Sequence, residues 1–173
     1  MSTNILTDLI RDIPDFPKPG IVFKDITPIL QSPEAYRTFI DLLIAEFKDK
    51  QLDAIAAVDA RGFLFGGALA YALGVSLVPV RKKGKLPFQT HEISYDLEYG
   101  NATLEIHADA LSPGDRVLII DDLLATGGTV EATIRLCTTL GAEVVGCAFL
   151  LELSFLGGRD RLDGVPVFVP IVV

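Results

Sequence analysis

Asp121 and Asp122 stand side by side, and a Thr126-Gly127-Gly128-Thr129 turn follows shortly after them. The two halves of this stretch suit different chemistry. Adjacent carboxylates accept hydrogen bonds from hydroxyls, or stand near a hydrated cation. A glycine-rich turn at a helix start points backbone N–H groups at an anion with no Cβ in the way. A helix end alone gives a charge only about 0.3–2 kcal/mol, so useful affinity needs several convergent donors, which the turn supplies. A site that takes both a polyol and a phosphate points to a sugar phosphate.

The surrounding elements must place these groups. Val117-Leu118-Ile119-Ile120 reads as a strand buried on both faces, as in a parallel sheet. The helix after the turn buries Val130, Thr133, Ile134, Cys137 and Leu140 and stops at Gly141. The acids therefore sit at the carboxyl edge of an α/β sheet, where ligands usually bind. Strand alternation would face the two acids oppositely, but at a strand tip the chain can turn and both can reach one ligand.

Earlier in the chain, Ile5, Leu6, Leu9, Ile10 and Ile13 have helical spacing, which predicts a short amphipathic helix ending before Pro14. Phe16–Gly20 reads as an extended surface segment, and Ile21–Pro28 as a short edge strand. Ser32-Pro33 caps and starts a helix whose buried face carries Tyr36, Phe39, Ile40, Leu43, Ile44 and Phe47. A strand over Asp53–Val58 ends at Asp59-Ala60-Arg61-Gly62. A helix follows through Ala72, and the next strand spans Ser76–Val80. Arg81-Lys82-Lys83-Gly84-Lys85-Leu86-Pro87 is a basic loop and a candidate mobile lid. Gln89–Leu97 and Thr103–Ile106 alternate as an antiparallel hairpin, and Val144–Leu151 and Val167–Ile171 supply two more strands. The predicted fold is α/β: a parallel sheet core with flanking helices, an inserted hairpin lid and an N-terminal hood segment.

The 173 residues are read as one domain. Residues 1–32 hold the N-terminal helix and covering segment, and residues 81–107 the basic loop and hairpin insertion. A net charge of −8 argues against non-specific nucleic-acid binding. Cys137 and Cys147 fit no metal spacing and read as core residues. His91 and His107 read as ordinary strand or surface residues. With no signal-peptide pattern at the N-terminus and no apolar run long enough for a bilayer, a soluble cytoplasmic protein is expected. The absence of GxGxxG and GxxxxGK[ST] argues against dinucleotides and nucleoside triphosphatases.

Val117–Thr129 resembles the phosphoribosyl pyrophosphate signature of the type I phosphoribosyltransferases. FPKPGIVFKDITP at 16–28, VDARGFLFG at 58–66, RKKGKLP at 81–87 and SYDLEYG at 94–100 resemble, together with it, the adenine phosphoribosyltransferases. The resemblance runs from about Asp15 to Leu153. Phe88–Ile93 matches no motif of that family.

The resemblance implies transfer of a 5-phosphoribosyl group from phosphoribosyl pyrophosphate to adenine, giving AMP and pyrophosphate. It implies that Ala125, Thr126, Gly127, Gly128 and Thr129 hold the 5′-phosphate, and that Asp121 and Asp122 hold the ribose hydroxyls. Arg61, Arg81 and Lys85 would meet the pyrophosphate, and a non-proline cis peptide is expected at Asp59-Ala60. Phe23 would stack on the purine, the backbone of Val22 and Lys24 would read its edge, and Leu153 would close the other face. Glu98 would be the acid–base residue, with Tyr99 beside it, while Tyr95 reads as hood packing. No protein metal cage is expected: magnesium would arrive with the pyrophosphate, near Asp121 and Asp122. A homodimer is implied, with the N-terminal helix as a possible part of its interface. The alternatives are a phosphoribosyltransferase for another purine and a non-catalytic sensor of the same donor.

Overall fold

The computed structural model describes residues 4–96, 101–162 and 164–173. In chain order the elements are α1 (Asn4–Asp8), β1 (Arg11–Pro14), β2 (Val22–Asp25), α2 (Thr27–Gln31), α3 (Pro33–Phe47), β3 (Ala54–Val58), α4 (Gly62–Leu73), β4 (Ser76–Lys82), β5 (Thr90–Asp96), β6 (Asn101–His107), β7 (Arg116–Ile120), β8 (Leu123–Leu124), α5 (Gly128–Thr139), β9 (Glu143–Ala148), β10 (Leu151–Glu152), β11 (Val167–Phe168) and β12 (Ile171–Val172). Two 3-10 turns, Ser154–Leu156 and Gly158–Arg161, lie between β10 and β11.

The main sheet has the order β11-β9-β7-β3-β4-β6-β5. Its first five strands run parallel, and β6 and β5 close it as an antiparallel hairpin. Every residue of β3 is buried, because both sheet faces are covered. Ile55, Ala57, Leu118 and Ile120 point toward α3 and α4, while Ala54, Ala56, Val117 and Ile119 point toward α5. Gly66 lets α4 lie close: a Cβ there would stand 2.7 Å from the Cβ of Ala57 and 3.0 Å from Ile120.

Several expected elements change at their ends. The N-terminal helix stops at Asp8, and Ile13 instead lies in β1, opposite Phe23 of β2. So short a helix is marginal, and pairing with β2 wins. Pro14 is tolerated because β1 belongs only to this two-stranded ribbon. Leu6 is fully buried in this chain's own core, so it is not available to a second copy. Thr27 and Pro28 open α2 rather than extend the strand: Pro28 sits in its first turn, and Asp25 accepts from Thr27 N at 2.9 Å and from Thr27 Oγ1 at 2.8 Å. α3 starts as its sequence indicates, with Ser32 Oγ accepting from Ala35 N at 3.2 Å.

β4 runs on through Arg81 and Lys82, which pair with Glu105 and Leu104 of β6. The hairpin is thus continuous with the main sheet. The apolar run 144–151 is split between β9 and β10, and 167–171 between β11 and β12. The second member of each pair joins a small parallel sheet of order β12-β10-β8. No helix among the described residues is long and apolar enough to cross a membrane.

Candidate functional site

β7 ends at Ile120, and the chain leaves the main sheet through Asp121 and Asp122 before entering β8. Asp121 N still donates to Ala148 O at 3.1 Å. Asp122 O accepts from both Leu150 N and Leu151 N, at 3.1 and 3.0 Å. The acids are therefore held by backbone at the junction of the two sheets. Gly62 brings the start of α4 against this tip: a Cβ there would stand 2.7 Å from Ile120 O.

Asp122 is buried, and its Oδ2 accepts from Arg61 Nε at 2.5 Å. Burial works against the Arg61 cation, but Asp122, Asp121 and Asp25 outweigh it and raise its pKa. Among the described residues Asp121 has no ion pair of its own, although its Oδ1 accepts from Asp122 N at 2.8 Å. Burial, and then the charge of Asp122, push the Asp121 carboxyl well above its ordinary range.

Ala125, Thr126, Gly127, Gly128 and Thr129 wrap one side of a cavity of about 190 Å³ whose other wall is Arg61, Asp121 and Asp122. Gly127 has φ +85°, which favours glycine, and it leads directly into α5. The turn rests on the second 3-10 segment. A Cβ on Gly127 would meet Gly158 O at 2.5 Å, and a Cβ on Gly158 would overlap Ala125 O. That segment is tied down by a fork between Arg159 and the buried Glu152, with contacts of 2.7–2.9 Å.

A second cavity, of about 340 Å³, shares Arg61, Asp121 and Asp122 with the first and adds Asp59, Ala60, Lys82 and Lys85. The Asp59-Ala60 peptide is cis, as expected. Asp59 Oδ2 faces Arg81 Nε at 3.1 Å and Lys85 Nζ at 3.6 Å. Arg81 lies on Asp59 and over the Phe63 ring, while its neighbour Lys82 lines the cavity. Strand alternation explains the divergence, since Arg81 and Lys82 are consecutive in β4.

The hood residues divide between two further cavities. Phe23, with Ile13, Phe16 and Asp25, lines one, and the Phe16 ring meets Phe23 edge-on at 5.2 Å. Val22, Lys24 and Leu153, with Ile21 and Phe155, line another of about 500 Å³. The charge of Asp25 reaches Arg61, which links the hood to the acids. Glu98 and Tyr99 lie outside the described residues; the hairpin that carries them is paired as far as Asp96 and Asn101.

Three residues of these cavities, or of their rims, escaped the sequence reading. Lys82 was one cation among several. Asp59 is marked in the sequence by the expected cis peptide and the motif at 58–66, but not as a partner of Arg81 and Lys85. Tyr95 reads as packing from its sequence, yet its hydroxyl lies against Thr129. Alternation along β5 leaves open which face Tyr95 takes until the pairing is known. Cys137 and Cys147 are buried in the core, as read, with both thiols pushed up to about 12 by burial.

Comparison with known proteins agrees with this geometry. The profile of the phosphoribosyl transferase domain matches residues 25–165. A protein of Carboxydothermus hydrogenoformans named adenine phosphoribosyltransferase is 56% identical over 162 residues, covering 94% of this chain and 95% of that protein. The crystal structure of adenine phosphoribosyltransferase from Thermoanaerobacter pseudethanolicus superposes with a TM-score of 0.96 at 51% identity, covering 99% and 100% of the two chains. The Saccharomyces cerevisiae enzyme, complexed with an imino-altritol 1,6-bisphosphate and adenine, gives a TM-score of 0.91 at 40% identity over 96% and 97%.

Proposed function

This chain belongs to the phosphoribosyl transferase domain family, and within it to the adenine phosphoribosyltransferases; from that premise we propose how its site works. The enzyme transfers the 5-phosphoribosyl group of phosphoribosyl pyrophosphate to adenine, giving AMP and pyrophosphate. One observation carries the assignment of parts. Two cavities, one walled by an anion-binding turn and one by cations, meet at Arg61, Asp121 and Asp122.

In this reading the 5′-phosphate sits on the N–H groups and hydroxyls of Ala125–Thr129 at the start of α5. Asp121 and Asp122 accept from the ribose hydroxyls between the two cavities. The pyrophosphate lies beside Arg61, Lys82 and Lys85, and takes the place that Asp59 holds against Lys85 and Arg81. Bond breaking leaves positive charge on the ribose ring, which the acids stabilise while the cations hold the leaving group. Adenine approaches C1 from the hood side, stacked on Phe23, with the backbone of Val22 and Lys24 at its edge and Leu153 toward its other face. A backbone acceptor reading its 6-amino group would reject 6-oxo purines, a discrimination worth about 10⁴–10⁵-fold. Glu98, with Tyr99 beside it, receives or relays the proton lost by the purine, a contribution of about 10²–10⁴-fold.

Among the described residues no group of three or more His, Cys, Asp or Glu could hold a metal ion, and Asp122 is already engaged by Arg61. This donor set fits magnesium carried in by the pyrophosphate, near Asp121 and Asp122, with most ligands from substrate and water. Bound there, the ion would neutralise charge on the leaving group.

The reading extends to a homodimer in the cytoplasm. Leu64 and Tyr71 of α4 and Leu77 of β4 are exposed and give an apolar face for a second copy. The test of function is an end-point assay with donor, magnesium and each purine in turn. Pyrophosphate release with adenine and not with hypoxanthine or guanine is expected, and no release with adenine overturns the reading.

A further inference from the structure

Glu105 is a buried carboxylate in the middle of β6, only 2% exposed. It sits beneath the basic turn and is paired in register with Arg81. One oxygen, Oε1, accepts from the backbone N–H of Lys85 at 2.9 Å and of Leu86 at 2.7 Å. Burial opposes its ionisation, but the N–H groups of Leu86, Gly84 and Lys85 outweigh it and lower its pKa. A buried anion is costly unless its hydrogen bonds are made, so these donors and this carboxylate hold each other in place.

The turn is fixed from other sides as well. Lys83 N donates to Thr103 O at 3.0 Å, and Gly84 takes φ +84° with open space around it. Lys85 O accepts from Arg81 Nη1 at 3.4 Å. The side chains of Arg81 and Lys85 then converge on Asp59 at the cation-lined cavity. A segment with four cations in five residues would otherwise spread to reduce its own repulsion.

We propose that Glu105 is a positioning residue for the donor: by gripping the 84–86 backbone from beneath, it holds Lys85 at the pyrophosphate position. The inference rests on the reading of that cavity as the pyrophosphate site. Glu105 itself touches no substrate. It converts a mobile basic loop into a preformed clamp, so its effect falls on donor affinity and not on the chemical step.

The test is a graded series at residue 105. Glu105→Gln keeps one acceptor oxygen but loses the charge. Glu105→Leu keeps an apolar volume suited to a buried position and leaves both N–H groups unpaired. The two N–H groups lose their acceptor entirely in Glu105→Leu and keep a neutral one in Glu105→Gln, so the expected rise in KM for phosphoribosyl pyrophosphate is about tenfold or more for Glu105→Leu and about threefold for Glu105→Gln. The kcat and the KM for adenine should stay within about twofold, because neither depends on the clamp's rest position. Trypsin should cut after Lys83 or Lys85 faster in Glu105→Leu than in wild type, a readout independent of activity.

The same substitution is then repeated in a Lys85→Ala background, where its effect on KM should shrink at least threefold. Wild-type donor KM in Glu105→Leu, or an undiminished effect in the Lys85→Ala background, overturns the proposal. If Lys85→Ala alone leaves the pyrophosphate dissociation constant unchanged, the assignment of the cavity fails instead.

Discussion

Tyr95 sets its hydroxyl 3.1 Å from Oγ1 of Thr129, so the hairpin and the first turn of α5 meet at one hydrogen bond. Its ring also lies along the turn: a Cβ on Gly128 would stand 3.3 Å from Tyr95 Cδ2. Tyr95→Phe keeps that packing and removes only the hydroxyl. One neutral hydrogen bond is worth about 0.5–1.5 kcal/mol, so binding of the donor and of AMP should weaken about two- to tenfold. Calorimetric titration of both ligands checks this. Equal affinities in the variant would mean that ligand binding does not depend on the Tyr95–Thr129 contact.

Gly158 supports the same turn from below. A Cβ at that position would overlap Ala125 O and stand 3.1 Å from Leu124 Cδ1. Gly158→Ala should cost about 1–3 kcal/mol through overpacking, and each kcal/mol should lower Tm by about 2–4 °C. Donor affinity should fall as well, because the displacement lands on Ala125. Gly67→Ala is the contrast. Its Cβ would meet only Leu77 Cδ2, at 4.0 Å, and α4 should gain from the substitution. Thermal melts of the two variants should therefore move in opposite directions.

Asp121 makes stability depend on pH. Its carboxyl is pushed well above the ordinary 3.8 by burial and by the charge of Asp122. The folded protein therefore holds that proton more tightly than the unfolded chain. The stabilisation it gives is complete below the unfolded value and is lost as pH rises through the folded one. Asp121→Asn removes this loss. Melting curves recorded without substrate should show the variant above wild type at neutral pH, with the two converging below about pH 4. An offset independent of pH would assign the effect to packing rather than to titration.

How far the sequence could be read depended on the range of the forces involved. The buried strands β3 and β7, and the caps at Ser32 and Gly74, follow from local pattern, and the structure has them where the pattern places them. The acids and the glycine turn were legible for the same reason. Where elements compete for partners, the local pattern failed. Ile13 keeps helical spacing with Leu6 and Leu9 but pairs with Phe23. Leu123 and Leu124 are too few to register as a strand, yet the small sheet claims them. The basic loop read as mobile because its counter-anions, Asp59 and Glu105, are distant in sequence. Tyr95 and Lys82 needed a face and a register, which only pairing supplies.

The small sheet ties the acids and the turn to residues far along the chain. β8 holds the residues between Asp122 and Ala125; it is paired with β10, and β10 with β12. A nascent chain that has emerged only through α5 already carries both acids and every glycine of the turn, but neither strand that frames them. The strand that leads from the acids to the turn thus takes its partner, β10, from residues that follow α5, and β10 takes its own from residues 171–172.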